Sequence, residues 1–157
     1  MAACWYGAAR ALGLALHAAV RAAHAGTADE VRGGAAGAAV EPLRGERAVL
    51  RSLALGRIDL ALGQAAALLR EVAARIDAAP DDPQVDAVRR ARLAVDAACR
   101  EVLQTALRAL GPAPFCREAR LARLAADLPI FLRQCHGDPD LVATGDAAAV
   151  CPDPWCL

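Results

Sequence analysis

Apolar residues recur along this chain at alternating spacings of four and three, the period of a helix face and not of a strand. Residues 2–25 place Trp5, Ala9, Leu12, Leu16, Ala19 and Ala23 on one side. Gly26 is expected to end this helix, and the following stretch to Pro42, with Gly33, Gly34 and Gly37, reads as an exposed, mobile loop. A second helix is predicted over residues 43–79, where Leu55, Ile58, Leu62, Ala65, Leu69, Val72 and Ile76 form a strict heptad seam. A third is predicted over 83–110. Asp81 and Gln84 read as a capping box for it, with Pro83 in its first turn. Val85, Val88, Val95, Cys99, Val102 and Ala106 line its inner face, which Arg92 interrupts. Gly111-Pro112-Ala113-Pro114 is expected to stop it. The fourth helix is predicted over 116–135, with Leu121, Leu124, Leu128 and Phe131 on one face and a kink or break near Asp127, caused by Pro129. After Gly137 no clear period remains, although a short helix from Pro139 to Thr144 is possible. The pattern predicts an all-α, antiparallel up-down-up-down four-helix bundle over residues 1–145 and an irregular tail over 146–157.

Composition sharpens this reading. Ala and Leu, both strong helix formers, account for 42 and 21 of the 157 residues, and only five residues are aromatic. That argues against a sandwich or barrel. With 57% hydrophobic residues and zero net charge, the chain can bury a core and is not compositionally disordered. All 18 basic residues are Arg and none forms a run longer than Arg89-Arg90, so no basic face for nucleic acid stands out. The arginines are read as a G+C-rich coding bias. Residues 11–20, ALGLALHAAV, are apolar but lack a charged start and contain His17, so a signal peptide is not expected. No window of 18 uncharged apolar residues occurs, and a cytoplasmic protein without a membrane span is expected.

Candidate chemistry is sparse. None of the common nucleotide-binding, hydrolase or zinc-protease motifs is present. His17 and His24 are two turns apart on one side of the first helix, too far for a compact metal pair, and read as helix-face residues. His136 follows Cys135, but adjacent residues on a helix point about 100° apart, which does not make a nucleophile–base pair. Glu101 and Glu118 lie on different helices, Asp127 sits at the expected kink, and Asp138 and Asp140 suit a turn. The six cysteines, at 4, 99, 116, 135, 151 and 156, contain no CxxC pair and are expected to be reduced, non-ligating thiols. In the tail segment CPDPWC, a disulfide between Cys151 and Cys156 or a metal site with a third ligand is geometrically open.

The run EVLQTALRALGPAPFCREARLARLAADLPIFLRQCHG, residues 101–137, resembles the end of the C-terminal helical domain of acyl-CoA dehydrogenases. In that family a helix ends in Q-x-x-G-G-x-G-(F/Y), and the next helix leads to a loop with a catalytic Glu. Laid on without gaps, Arg108 stands at the family Gln, Gly111 at the first Gly and Phe115 at the aromatic, with Leu124 and Asp127 on the next helix. ACWYGAARALGLAL and RSLALGRIDLALGQAAALLREV are similar to that domain's first and second helices. The resemblance implies FAD as cofactor, Arg108 and Gly111 as flavin-phosphate contacts, an acyl-CoA substrate, and either a homo-oligomer or a partner chain that supplies the flavin domains. Its departures are equally specific. Pro112 and Pro114 replace loop glycines, which removes N–H donors and blocks close backbone approach. Cys135 stands where the family has its catalytic base, and a thiol with a reference pKa of roughly 8.5 is poorly matched to that task. The implied function is a truncated or split flavin oxidoreductase component that is inactive alone and binds no FAD by itself. The alternative is a non-catalytic helical-bundle interaction or scaffold protein.

Overall fold

The computed structural model describes the backbone of residues 1–33 and 41–153 and the side chains of residues 1–25 and 45–153. Among the described residues every regular element is a helix, as the pattern of spacings requires. Three long helices come first: α1 (Ala2–Gly33), α2 (Glu41–Ala78) and α3 (Val85–Leu110). Three shorter ones follow: α4 (Pro112–Arg117), α5 (Ala119–Leu132) and α6 (Gly137–Ala149). α1, α2 and α3 pack mutually, α5 lies against α1 and α3, and α6 lies against α3. α2 runs antiparallel to α3, with Arg51 near the start of α2 reaching Ala109 at the end of α3 and Val72 facing Ala87.

The core is the meeting of the apolar seams. Trp5, Ala9, Leu12 and Leu16 of α1 are buried with Val20. Ile58, Ala65 and Val72 supply the buried positions of α2, one per heptad, and Leu55, Leu62 and Leu69 pack half-buried against the same cluster. Ile76, the last position of that seam, is 41% exposed because α2 runs past its neighbours there. On α3 the seam begins later than the sequence suggests. Val85 and Val88 are exposed, whereas Val95, Cys99, Val102 and Ala106 are buried. Gly13 sits where α1 meets α2. A Cβ there would lie 3.0 Å from Ile58 Cγ2 and 3.3 Å from Leu62 Cδ1, so the two backbones approach over a missing side chain.

Several boundaries differ from the sequence expectation, each for a local reason. α1 continues through Gly26 to Gly33. One glycine costs about 1 kcal/mol against alanine, which a long packed helix absorbs. Of the loop expected from Gly26 to Pro42, the part up to Gly33 is helix in α1, Glu41 and Pro42 open α2, and residues 34–40 lie outside the described residues. The capping box at Asp81 and Gln84 does not form. Gln84 is the residue before α3, in the left-handed region at φ 48°, and its N–H donates to Asp82 Oδ1 at 3.0 Å. Gly111 ends α3 at φ 70°, a conformation open to glycine, but Pro112 does not bar helix. It occupies the first turn of α4, where its missing N–H has no partner to lose.

The single helix expected over 116–135 is therefore two, α4 and α5, separated at Glu118, whose backbone is extended. Pro129 lies inside α5 without ending it. Leu121, Leu128 and Leu132 face the core, and Phe131 is 52% exposed. α6 runs to Ala149, into the 146–157 stretch expected to be an irregular tail, and is longer than the short helix read as possible from Pro139 to Thr144. Thr144 supports it by donating from Oγ1 to the Asp140 carbonyl at 2.7 Å.

Candidate functional site

The residues singled out from the sequence do not converge. Arg108 is exposed in the last turn of α3, one turn before Gly111, and the Gly111 N–H donates to the Leu107 carbonyl at 3.1 Å. Cys135 lies just beyond α5, half-buried against the core. The preceding residue, Gln134, accepts a hydrogen bond through its carbonyl from Arg92 Nη2, so this end of α5 sits at the level of the first third of α3. Arg92 and Arg108 are 16 residues apart on one helix, about 24 Å at 1.5 Å per residue. The position expected for a base and the positions expected for flavin phosphate are thus at different levels of the fold.

His17 and His24 both lie on the exposed side of α1. His17 borders an open depression of about 380 Å³ with Arg21. A second depression, about 330 Å³, lies between α2 and α3 and is lined by Leu68, Val72, Glu71, Arg75, Asp86 and Arg90. Of its charged lining residues, Arg75 pairs with Glu71 at 2.6 Å, and Asp86 pairs with Arg89, outside the lining, at 2.8 Å. Among the described residues no group of three or more His, Cys, Asp or Glu side chains is placed to hold a metal. Cys4, Cys99, Cys116, Cys135 and Cys151 are free thiols, and the pairing question at Cys156 lies outside the described residues.

Arg92, which looked like an interruption of an apolar face, has a structural explanation. Its guanidinium stands over the Trp5 ring, 5.7 Å from the centroid, and ends on the Gln134 carbonyl. A cation on an aromatic face and on a carbonyl past a helix end is favourable twice over. Arg92 Nε, by contrast, is buried without a partner. This side chain therefore ties α1, α3 and the end of α5 together and carries no visible chemistry. Two turns further along α3, Arg100 pairs with Asp96 through two hydrogen bonds of 2.8 and 3.0 Å, which favour its charged form.

Cys99 is buried beside that pair. Burial, and secondarily the Asp96 carboxylate, push its thiol up to about 12. The folded chain holds this proton more tightly than the unfolded chain does. Stability from this group is complete below about pH 9 and is lost as the pH rises toward 12. The expected result is an unfolding free energy that falls above pH 9, by at most about 1.4 kcal/mol per pH unit from this thiol, with a shallower fall in Cys99→Ala. Equal slopes in the two proteins would show that this thiol is not protected.

The remaining feature is a surface. α2 presents Val49, Leu50, Leu53 and Leu60 to solvent, with exposures of 68, 56, 55 and 65%. Gly56 and Gly63 lie between and beside them, and a Cβ at either would meet nothing within 4 Å. Beyond its buried seam, then, α2 carries a second apolar face that nothing among the described residues covers. The sequence reading missed it because the inner seam already accounted for the heptads. Counting the leucines left outside that seam would have revealed it. Among the described residues, α2 is the helix long and apolar enough to cross a membrane by length and composition, and only 17% of its most apolar window is buried. The chain matches no protein-family model, no curated protein and no solved structure.

Proposed function

We propose that the chain is a non-catalytic interaction module. In this reading α1, α2, α3 and α5 form an up-down-up-down four-helix bundle that displays the outer face of α2 to another protein. The observation that carries it is the two-sided helix. Ile58, Ala65 and Val72 are buried, while Val49, Leu53 and Leu60 stand exposed around two open glycines. Contiguous exposed apolar surface costs solubility unless something covers it. A photo-crosslinking residue at position 60 is expected to give a discrete protein adduct in cells, and one at Arg90, also exposed but outside the face, is not. The absence of any discrete adduct at position 60 would sink the reading.

A second reading, the split acyl-CoA-dehydrogenase-like flavin component, draws support from Gly111, whose φ of 70° needs the glycine that the family motif has there. In that reading FAD and acyl-CoA are held mainly by a partner chain, with Arg108 exposed toward the flavin phosphates. This chain alone is then expected to leave FAD fluorescence unquenched up to tens of micromolar protein. Micromolar or tighter quenching, lost in Arg108→Ala, would instead place a flavin site on this chain.

A further inference from the structure

We propose that the outer face of α2 pairs with the same face of a second copy of this chain, antiparallel, about a two-fold axis near residue 58. This rests on the reading of that face as a contact surface. The face is itself a heptad: Glu46, Val49, Leu53, Gly56, Leu60, Gly63, Ala67 and Arg70 recur at alternating spacings of three and four, and all are exposed. Two such seams mesh when large side chains on one enter gaps on the other.

The sequence of sizes favours one arrangement. In the antiparallel pair Leu53 faces Gly63 of the second copy, Leu60 faces Gly56, and Val49 faces Ala67, so each of these apolar layers sets a larger residue against a smaller one. The empty space at the Cβ positions of Gly56 and Gly63 is what a leucine from the second copy would fill. At both ends Glu46 faces Arg70 of the second copy, opposite charges in a layer position. A parallel pair would instead stack Leu53 on Leu53, leave Gly56 opposite Gly56, and bring Glu46 to Glu46 and Arg70 to Arg70.

Charge also separates a protein partner from a bilayer. Arg57 and Asp59 are exposed in the middle of the helix, on its flanks. In a helix pair these flanks remain in water. In a bilayer each charge would cost about 2.5–3.5 kcal/mol at the midplane. Across the two-fold axis Arg57 stands beside Arg57 of the second copy on one flank, and Asp59 beside Asp59 on the other. The pairing is therefore mildly opposed at its centre, and neutralising Arg57 tightens it.

Sedimentation equilibrium of the full chain in low salt tests this. One helix face on each side is at the small end of specific interfaces, so a dissociation constant in about the micromolar range is expected. Leu60→Glu is expected to weaken the dimer by more than about tenfold, with the melting midpoint equal to that of the wild-type chain diluted below its dissociation constant. Glu46→Arg is expected to weaken it about three- to tenfold, with recovery in Glu46→Arg/Arg70→Glu, and Arg57→Gln is expected to tighten it. A wild-type monomer at about 100 µM, a dimer indifferent to Leu60→Glu, or a charge swap that fails to restore pairing would each overturn the proposal. Co-sedimentation of the monomer with phosphatidylcholine–phosphatidylglycerol vesicles would overturn it in favour of a membrane surface. A photo-adduct at position 60 of a mass other than twice the chain, on a protein that is monomeric when pure, would end the self-pairing and leave the contact-surface reading standing. Loss of all adducts would remove both.

Discussion

Trp5→Ala is expected to destabilise the chain by about 3–5 kcal/mol, measured as a lowered denaturant midpoint. Trp5 is only 3% exposed, in a core otherwise built from aliphatic side chains and Cys99, five of them alanine. Alanine neighbours have short side chains and cannot swing in to fill an indole-sized gap, so the cavity term is close to its full value. The loss extends beyond packing, because the Arg92 guanidinium stands over this ring and carries the contact on to Gln134 beyond α5. Without the ring, a partly buried cation keeps its desolvation cost and loses one of its two partners. A cost below about 1 kcal/mol would mean that α1 is not anchored where its apolar face indicates.

The second large effect separates the two faces of one helix. Ile58→Ala is expected to cost about 2–5 kcal/mol, because Ile58 is 2% exposed and its Cγ2 lies over Gly13, where α1 meets α2. Leu60→Ala, two residues on, removes a side chain that is 65% exposed and is expected to change monomer stability by no more than about 0.5 kcal/mol. Chemical denaturation at concentrations below dimer formation measures both. Equal costs at the two positions would contradict the division of α2 into a packed and an open face.

Helix spacing was enough to locate the core. Trp5, Leu12 and Leu16 of α1 and Ile58, Ala65 and Val72 of the α2 seam are buried, Leu55, Leu62 and Leu69 are half-buried against them, and Ile76, expected in the same seam, is exposed. What the spacing could not supply was where each seam finds a neighbour. Val85 and Val88 share a face with Val95, yet they lie on the part of α3 that packs least and remain exposed. Proline was misjudged for a similar reason. A stop signal and a first-turn residue are the same residue type, and only the backbone of Gly111 distinguishes a chain that leaves the helix from one that starts another. Arg92 looked like a defect because its partners, Trp5 and Gln134, are distant in sequence. Arg108, Gly111 and Cys135 were picked by resemblance, which orders residues along a chain, and the fold puts them at different levels of α3. The outer face of α2 was legible in principle. Leu53 and Leu60 repeat at the heptad interval as clearly as Leu55 and Leu62 do.

The most direct test of α2 as a working surface measures stability and association together in Leu53→Glu/Leu60→Glu. Both side chains are more than half exposed, and glutamate is at ease in a helix. The expected result is a monomer whose melting midpoint, compared with that of the wild-type chain diluted below its dissociation constant, is unchanged within a degree or two. A midpoint lowered by ten degrees or more would show that the outer face belongs to the folding core, and undiminished association would show that the chain meets its partner elsewhere.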